Sequence, residues 1–398
     1  MDTINCIVQA SSKNWSGSKD ICMNTIKGYP VVYWVIKKIL GQIPSAQIVL
    51  VAPLFDKEGV LDNVINELNS DRISAFFGYD SDPLNRICVA TDNLNDDDYI
   101  IRIDGLNYFV DLDMSLNMLQ QAKLNNLDCV KFPDAWPVQF TSDIYRVGAL
   151  REVNGMLFRE EDQIYRVHPK YYLFNHSAFN CKYAEEIPNY GNDYLVDCRA
   201  TLHEIYSEER TEVDKNRIWV GCQLSFHYEL AVGYIKNWMK VLDIACGYGY
   251  GTKMLAKHCS EIYGADIDRN IIEYNRKNNG SSNIKYHVED VTTLSYDDNE
   301  FDAVTSMETL EHVDAPKYFE ELYRVLKPGG ILILSTPQNL FGRIPITSVH
   351  VREYSMTELE ELCKNYFTIK KFIGIKQGRI VFPNDPYGNN SMVVCRKA

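Results

Sequence analysis

Glycines and a carboxylate in the second half of the chain have the spacing of a ligand-binding loop between a strand and a helix. The stretch 241–252 reads as a buried strand followed by a loop with Gly247, Gly249 and Gly251. Glycines let the backbone approach a ligand closely, and the first amides of the following helix can donate to it. Asp243 lies near the end of the strand, where its carboxylate can meet an ammonium group. Several cofactor folds share such a loop, so the pattern alone does not choose between them.

Two further carboxylates follow the next predicted strands. Asp266 ends the strand Glu261–Asp266, and a carboxylate at this position can accept both hydroxyls of a ribose. Asp290 follows the strand Asn283–Val288. Because ligands bind at the carboxyl edge of open α/β sheets, we expect these side chains to face one ligand that contains a nucleoside.

Candidate bases, and one arginine that supplies charge near the expected acceptor, follow the last two predicted strands of this half. Glu308, Glu311 and His312 come after the fourth strand, and His350 and Arg352 come after the fifth. A histidine has a pKa suited to removing a proton near neutral pH. His312 has the alternative of bracing the turn beside the ligand, and His350 that of lining the acceptor mouth or a lid. No H-x-x-x-H or clustered Asp-Asp-His spacing occurs, so no metal site is predicted.

Apolar runs of strand length alternate with helix-period patterns in both halves of the chain. The predicted strands are Ile4–Gln9, Gln47–Ala52, Asp98–Ile103, Lys240–Ala245, Glu261–Asp266, Asn283–Val288, Phe301–Ser306 and Ile331–Ser335. The predicted helices are Pro30–Leu40, Lys57–Leu68, Asp82–Leu94 and Pro316–Leu326. This alternation predicts an α/β fold with two doubly wound domains, each with a parallel sheet and crossover helices.

Length and composition indicate a globular protein of two domains. The chain has 398 residues, where a domain usually has about 100–200. A charged segment, Thr201–Arg217, separates the halves, and we predict one domain at 1–205 and another at 218–398.

The charge and the cysteines bear on the partners of the chain and on its cellular compartment. The 41 basic and 54 acidic residues give a net charge of −13, which argues against nucleic acid or anionic lipid as a partner. No apolar run is long enough to span a bilayer, so no membrane insertion is expected. Eleven cysteines without a C-x-x-C pair fit a reducing compartment, and the prediction is a soluble cytoplasmic protein.

Five stretches of the second half occur together and in order: VLDIACGYGYG, GADID, VEDVTTLSYDDNEFDAV, METLEHV and LKPGGILILSTP. By this combination and order, the second half resembles class I S-adenosylmethionine-dependent methyltransferases. A dinucleotide site prefers G-x-G-x-x-G, whereas the spacing here is G-x-G-x-G. The resemblance implies S-adenosylmethionine as the cofactor. Carried over by position, the implied cofactor-binding residues are Asp243, Ala245, Gly247, Gly249, Asp266, Ile267, Asp290, Val291 and Met307. The catalytic candidates are then His312, His350 and Glu308, with Arg352 as a substrate-binding residue.

The first half carries motifs of a different kind. It opens with INCIVQASS and continues through GYDSDPLNR and IIRIDGLNYFVD. These stretches are similar to the cytidylyltransferases that activate acidic sugars and to the related spore-coat-polysaccharide type. The resemblance implies a nucleotidyltransferase fold, with Gln9 and Lys19 as substrate-binding residues.

Two positions depart from that second family. Ser11 stands where the family has the arginine that meets the triphosphate, and Leu106 stands where it has the aspartate that binds Mg²⁺. A leucine cannot coordinate a hard cation, which needs oxygen ligands. Asp104 and Asp111 are alternatives, although neither has the family's position. The N-terminal domain is therefore predicted to be catalytically degenerate.

The two resemblances together give a leading prediction and two alternatives. The leading prediction is O-methylation of a sugar or sugar-nucleotide in surface-polysaccharide synthesis, with the N-terminal domain recognising the substrate. It depends on HVREY following STPQN, segments similar to those of methyltransferases found among bacterial surface-polysaccharide genes. The alternatives are a bifunctional cytidylyltransferase/methyltransferase and a non-catalytic assembly module of a glycan pathway. The expected partner is a small molecule or glycan.

Overall fold

The computed structural model describes residues 3–14, 19–159, 162–206, 223–341 and 349–398. The chain divides into two units, Met1–Arg210 and Thr211–Ala398. Among the described helices, none combines the length and the apolar character needed to cross a bilayer.

The N-terminal unit is an α/β structure with one main sheet. Its strands are β1 (Ile4–Gln9), β2 (Thr25–Ile26), β3 (Tyr29–Pro30), β4 (Ala46–Pro53), β5 (Ile73–Gly78), β6 (Tyr99–Asp104), β7 (Cys129–Lys131), β8 (Asp143–Arg146) and β9 (Cys181–Tyr183). Its helices are α1 (Val31–Gln42), α2 (Val60–Leu68), α3 (Pro83–Ala90), α4 (Leu112–Asn125), α5 (Val147–Met156), α6 (Gln163–Val167), α7 (Pro169–Asn175) and α8 (Asn192–Ile205).

The main sheet of this unit is mixed. Its strand order is β5-β4-β1-β6-β8-β7-β9, and β8 runs antiparallel to both β6 and β7. The prediction of a purely parallel sheet is therefore wrong here. The reversed strand and its neighbour β7 have four and three residues, too few to show an apolar pattern in the sequence.

Packing in this unit aligns the ends of two central strands. Leu84 and Ile87 of α3 and Leu150 of α5 pack against Ile7 of β1 in one buried cluster. β1 and β6 are parallel neighbours, and Gln9 pairs in register with Asp104 at their carboxyl ends.

The predicted linker is partly helical. Leu202 and Ile205 are buried residues of α8, so the first part of Thr201–Arg217 belongs to the N-terminal unit. The remainder of that segment, from residue 207, lies outside the described residues.

The C-terminal unit has a second α/β sheet. Its strands are β10 (Lys240–Ile244), β11 (Glu261–Asp266), β12 (Ile284–Val288), β13 (Phe301–Met307), β14 (Leu326–Pro337), β15 (Thr368–Ile375) and β16 (Asn390–Arg396). Its helices are α9 (Gln223–Val232), α10 (Tyr250–Leu255), α11 (Arg269–Asn278), α12 (Ala315–Val325) and α13 (Met356–Lys364).

The strand order of this sheet is β12-β11-β10-β13-β14-β16-β15. The five strands β10 to β14 are parallel, as the sequence predicts. β16 is antiparallel to β14 and β15, so this sheet is also mixed and the purely parallel prediction is wrong. β15 and β16 follow each other without an intervening helix. The strand–helix alternation from which the other strands were predicted therefore did not indicate these two.

Helices cover both faces of this sheet. Val241 and Ile333 face a cluster that includes Tyr228 of α9 and Leu255 of α10. Residues next to them in the strands, such as Leu242, face the opposite cluster with α12 and α13. Each fully buried leucine or isoleucine contributes about 1.5–3 kcal/mol. With both faces covered, the carboxyl ends of the parallel strands form the edge that receives the loops.

Gly251 allows α10 to pack closely. A Cβ on Gly251 would lie 2.1 Å from the ring of Tyr228. We expect Gly251→Ala to lower the free energy of unfolding by about 1–3 kcal/mol, because an added methyl in a filled core forces its neighbours to shift. Urea unfolding followed by circular dichroism measures this change. Gly233→Ala, whose Cβ would lie 3.5 Å from the nearest atom, is the control. Equal stability of the two variants would contradict the packing argument.

Candidate functional site

The loop after β10 turns sharply and leaves space in front of one glycine. Ala245, Gly247 and Gly249 all have positive φ, at 56°, 50° and 71°. A Cβ on Gly247 would meet no atom within 4 Å, so this glycine faces open space. A Cβ on Gly249 would lie 2.8 Å from the Tyr286 hydroxyl, so that position serves internal packing. The first glycine therefore leaves room for a ligand, and the second lets the loop pack.

Side chains from β11 and α11 hold this loop in place. The Gly247 N–H donates to Asp266 Oδ2 at 3.0 Å. Asn275 Nδ2 donates to the Gly247 carbonyl at 2.7 Å, and Asn279 Nδ2 donates to the Tyr248 carbonyl at 2.7 Å. The loop conformation is therefore set by the protein before any ligand arrives.

Asp243 is fully buried and accepts three hydroxyl hydrogen bonds. Tyr228 donates at 3.1 Å, Thr305 at 2.8 Å and Thr252 at 2.6 Å. Burial raises the pKa of Asp243 to about 6, against the lowering effect of these hydroxyls. The predicted contact of Asp243 with an ammonium group stays a prediction, whereas its observed partners all belong to the protein. Sequence reasoning missed the three hydroxyl donors, which have no motif of their own.

Other predicted cofactor-binding residues lie at the ends of adjacent strands. Ile267 follows β11 and is 69% exposed, which is unusual for an isoleucine beside a sheet. Asp290 follows β12 and accepts from the Thr292 N–H at 2.8 Å and its hydroxyl at 2.7 Å, which lowers the pKa of Asp290. Val291 and Met307 are each 7% exposed and pack in the core clusters. The topology therefore brings these residues to one edge of the sheet, the exposed ones facing outward.

Glu308 lies immediately after β13 in a strained conformation. Its φ of 53° is uncommon for a residue other than glycine and costs about 1 kcal/mol or more. Its carboxylate accepts from the Ser335 hydroxyl and from Asn390 Nδ2, both at 2.8 Å. His227 Nδ1 lies 2.9 Å from the same Ser335 hydroxyl, and burial lowers the pKa of His227. This polar network holds Glu308 in its strained conformation.

The turn after β13 and the loop after β14 meet at Glu311. The Glu311 carbonyl accepts the Val351 N–H at 2.7 Å, which ties the second loop to the turn. The Glu311 side chain is 1% exposed and accepts from the Thr336 hydroxyl at 2.8 Å. Burial and repulsion from Glu308 and Glu353 raise the pKa of Glu311 well above its usual range.

Two histidines complete this part of the site. The rings of His312 and His350 meet edge to face, with centroids 4.8 Å apart. His312 Nδ1 lies 3.0 Å from the Val349 carbonyl oxygen, and His350 Nδ1 lies 2.7 Å from Glu353 Oε1. Glu353 is 1% exposed and also accepts from Asn339 Nδ2 at 2.7 Å. Sequence reasoning missed Asn339, which lies 14 residues before Glu353 and has no motif of its own.

The same contacts bring three potential metal ligands together. One potential ligand atom from each of Glu311, His312 and His350 lies within 4.8 Å of the others. The sequence predicted no metal site, because no short spacing joins these residues. That expectation stays a prediction, and the structure shows that the group is assembled from two loops.

Arg352 has partners other than an acceptor. Its guanidinium lies 2.6 Å from Glu358 Oε1 and stacks 5.0 Å from the ring of Tyr354. Glu358 belongs to the capping box at the start of α13. The predicted substrate-binding role of Arg352 remains a prediction, and the observed contacts anchor the loop to α13.

In the N-terminal unit, the carboxyl ends of β1 and β6 carry charges that neutralise each other. Arg102 donates to Gln9 Oε1 at 3.1 and 3.2 Å and pairs with Asp104 at 2.7 Å. Asp143 is buried and pairs with Lys170 at 3.0 Å. Although burial opposes it, the Lys170 and Arg102 cations lower the pKa of Asp143.

The remaining predicted residues of this unit have partners within the protein. Lys19 forms a strand-like bridge with Lys13. Asp111 accepts from the Met114 N–H at 2.9 Å as the cap of α4, and from the Tyr190 hydroxyl at 2.8 Å. Asp104 and Asp111 thus both have partners within the protein.

Comparison with known proteins places the C-terminal region in a family of domains. Residues 242–334 match the family model of the methyltransferase domain. A probable S-adenosylmethionine-dependent methyltransferase of Mycolicibacterium smegmatis is 30% identical over 144 residues, 35% of this chain and 55% of that protein. The ubiquinone biosynthesis O-methyltransferase of Coxiella burnetii is 37% identical over 99 residues, 24% of this chain and 42% of that protein. The crystal structure of the PH0226 protein from Pyrococcus horikoshii has 25% identity, covers 49% of this chain and 99% of its own, and has a TM-score of 0.39.

The matched residues run from β10 into β14 and contain the glycine loop, the acidic strand ends and the turn with Glu308. The chain spans about half the length of the curated relatives it matches. The cofactor of such a domain is S-adenosylmethionine. The C-terminal region of this chain is therefore a class I S-adenosylmethionine-dependent methyltransferase domain.

Proposed function

We propose that the chain methylates a hydroxyl oxygen of a sugar or nucleotide-linked sugar in surface-polysaccharide synthesis. One observation supports an oxygen acceptor: His312 and His350 lie close together beyond the ends of β13 and β14, at the sheet edge that also carries the glycine loop. A hydroxyl must lose its proton to attack well, so its methylation needs a group that accepts or stabilises that charge. The sugar class is supported by two segments at and after the end of β14, STPQN (335–339) and HVREY (350–354).

The residues of the sheet edge fit the methyl donor. When bound, the donor supplies an electrophilic methyl group on a sulfonium. We assign the ribose to Asp266, whose partly exposed carboxylate also fixes Gly247. The open space at Gly247 suits the methionine portion. The exposed side chain of Ile267 suits one face of the adenine, and Asp290 suits its amino edge.

We assign proton removal to the histidine pair. With Nδ1–H donating to Glu353, His350 carries its lone pair on Nε2. A carboxylate partner fixes this tautomer and stabilises the protonated ring. Glu308 is the weaker candidate, because its two carboxylate oxygens already accept from Ser335 and Asn390.

For the N-terminal unit we propose recognition of the nucleotide-linked substrate without nucleotidyl transfer. Nucleotidyl transfer depends on metal and cationic positioning of the phosphates. Leu106 provides no ligand, and Arg102 already neutralises Asp104. The bifunctional alternative is therefore disfavoured. The non-catalytic alternative is disfavoured by the intact glycine loop and strand-end acids, and any turnover would exclude it.

Turnover with hydroxyl acceptors tests the proposal directly. We expect the full chain to convert S-adenosylmethionine to S-adenosylhomocysteine in the presence of free or CMP-linked sugars. Mass spectrometry of the acceptor should show a gain of one methyl group on oxygen. Methyl transfer only to nitrogen or carbon acceptors, or no turnover with any hydroxyl acceptor, would contradict it.

Asp266→Ala should abolish donor binding. Each hydrogen bond to a charged group is worth about 1.5–3 kcal/mol, so two lost ribose contacts weaken affinity by about 100-fold or more. Calorimetric titration with S-adenosylmethionine measures this loss. Asp268→Ala is the matched control, because Asp268 caps α11 through the Asn270 N–H at 2.7 Å. It should lose about 1 kcal/mol of stability and keep its affinity. Full affinity of Asp266→Ala would remove the ribose assignment.

The N-terminal proposal predicts that CTP is not turned over. With CTP, Mg²⁺ and acidic sugars, we expect no release of pyrophosphate above the rate without protein. Calorimetric titration with CTP and with CMP-linked sugars reports binding separately. Release that is lost in Asp104→Ala would instead establish the bifunctional alternative. Absence of any nucleotide binding, with S-adenosylmethionine binding intact, would contradict substrate recognition by this unit.

A further inference from the structure

The histidine pair and Glu311 form a group that the methyltransferase domain does not by itself explain. We propose that Glu311, His312 and His350 bind a divalent metal cation, and that this cation coordinates the acceptor hydroxyl. The second part rests on the proposed function, whereas cation binding stands independently of it.

The distances suit a shared ion. One donor atom from each of the three residues lies within 4.8 Å of the others. Donors about 2.1 Å from one ion lie up to about 4.2 Å apart, so small side-chain rotations close the site. The backbone bond from the Val351 N–H to the Glu311 carbonyl fixes the two loops that supply the ligands.

The partners of each side chain have the arrangement that metal ligands require. His312 Nδ1 faces the Val349 carbonyl and His350 Nδ1 faces the Glu353 carboxylate. Each contact places the proton on Nδ1 and the lone pair on Nε2, the tautomer in which a histidine binds metal. The Thr336 hydroxyl orients the Glu311 carboxylate in the same way. The three side chains, of which Glu311 is buried and His312 is exposed, are therefore oriented by the protein.

The charge around Glu311 favours the binding of a cation. Glu311 is 1% exposed, and the carboxylate of Glu308 lies nearby. Burying an uncompensated carboxylate is costly. Among the residues that the structure describes, no lysine or arginine lies within ion-pair distance of Glu311, and His312 Nε2 lies 3.9 Å from Glu311 Oε1. A divalent ion would compensate this charge.

The donor set indicates which ions fit and what they would do. Two imidazoles and one carboxylate favour first-row ions such as Mn²⁺, Co²⁺ or Zn²⁺ over Mg²⁺ or Ca²⁺, which prefer oxygen. Three protein ligands leave coordination positions open for oxygens of the acceptor. A coordinated hydroxyl loses its proton to solvent more readily, leaving an oxygen with increased negative charge. With the cation bound, the histidines are its ligands, and this role replaces the role of base that His350 has without the cation.

Manganese binding tests the site without an acceptor. The full chain is freed of metal with a chelator and titrated with MnCl₂, and free Mn²⁺ is followed by electron paramagnetic resonance. We expect one Mn²⁺ per chain, with affinity at least tenfold weaker in His350→Ala and in Glu311→Gln. His258→Ala, which removes an exposed histidine of the same unit, is the control and should bind like wild type. Binding of S-adenosylmethionine verifies that each variant is folded.

The outcomes separate this inference from the proposed function. The cation site would be overturned if the wild-type protein bound S-adenosylmethionine but neither Mn²⁺ nor Zn²⁺. It would also be overturned if His350→Ala bound Mn²⁺ with unchanged affinity. Hydroxyl methylation unaffected by chelator in such a protein would leave the proposed function intact. Cation binding lost in His350→Ala, without turnover of any hydroxyl acceptor, would keep the site and remove its assigned role.

Discussion

The burial of Asp243 is the constraint on which the donor site depends. A carboxylate without solvent contact is costly unless its oxygens are hydrogen-bonded. Tyr228 of α9, Thr252 of α10 and Thr305 of β13 supply those bonds. Satisfying one carboxylate therefore fixes two helices and a neighbouring strand around β10. The glycine loop leaves β10 directly after Asp243, so its course follows from this arrangement.

The turn after β13, where we propose that the acceptor binds, depends on a strand that the sequence pattern did not reveal. β16 supplies Asn390, which donates to Glu308 at 2.8 Å from the far side of β14. Together with Ser335 and His227 it keeps Glu308 in a left-handed conformation. Strain of this kind persists only where surrounding contacts over-determine it. The reversed strand thus helps to shape the turn that carries Glu311 and His312.

The sequence predicted the positions that depend on neighbouring residues in the chain. It did not predict contacts between residues that lie far apart in the chain. The positions of the glycine loop, Asp266 and Asp290 could be predicted because each lies at or just after the end of a strand, and parallel strands bring such positions to one edge. The pairing of His350 with Glu353 could be guessed from spacing, but the meeting of His350 with His312 could not. That meeting depends on a backbone bond between two loops. Likewise, the partner of Arg352 is set by the cap of α13, and β8 and β16 are reversed strands without crossover helices.

The same physical requirement has different solutions in the two units. Asp143 of the N-terminal unit is as buried as Glu311, but Lys170 and Arg102 supply its compensating charge from within the chain. Arg102 also neutralises Asp104, so the carboxylates at that sheet edge are already paired. At Glu311 no such cation is present among the described residues, while two histidines converge on it with their Nδ1 atoms already engaged. A buried carboxyl group without a lysine or arginine partner among the described residues, beside two oriented imidazoles, is the situation in which an external cation is stabilised. The contrast gives a physical reason to expect metal chemistry at the C-terminal site and not at the N-terminal one.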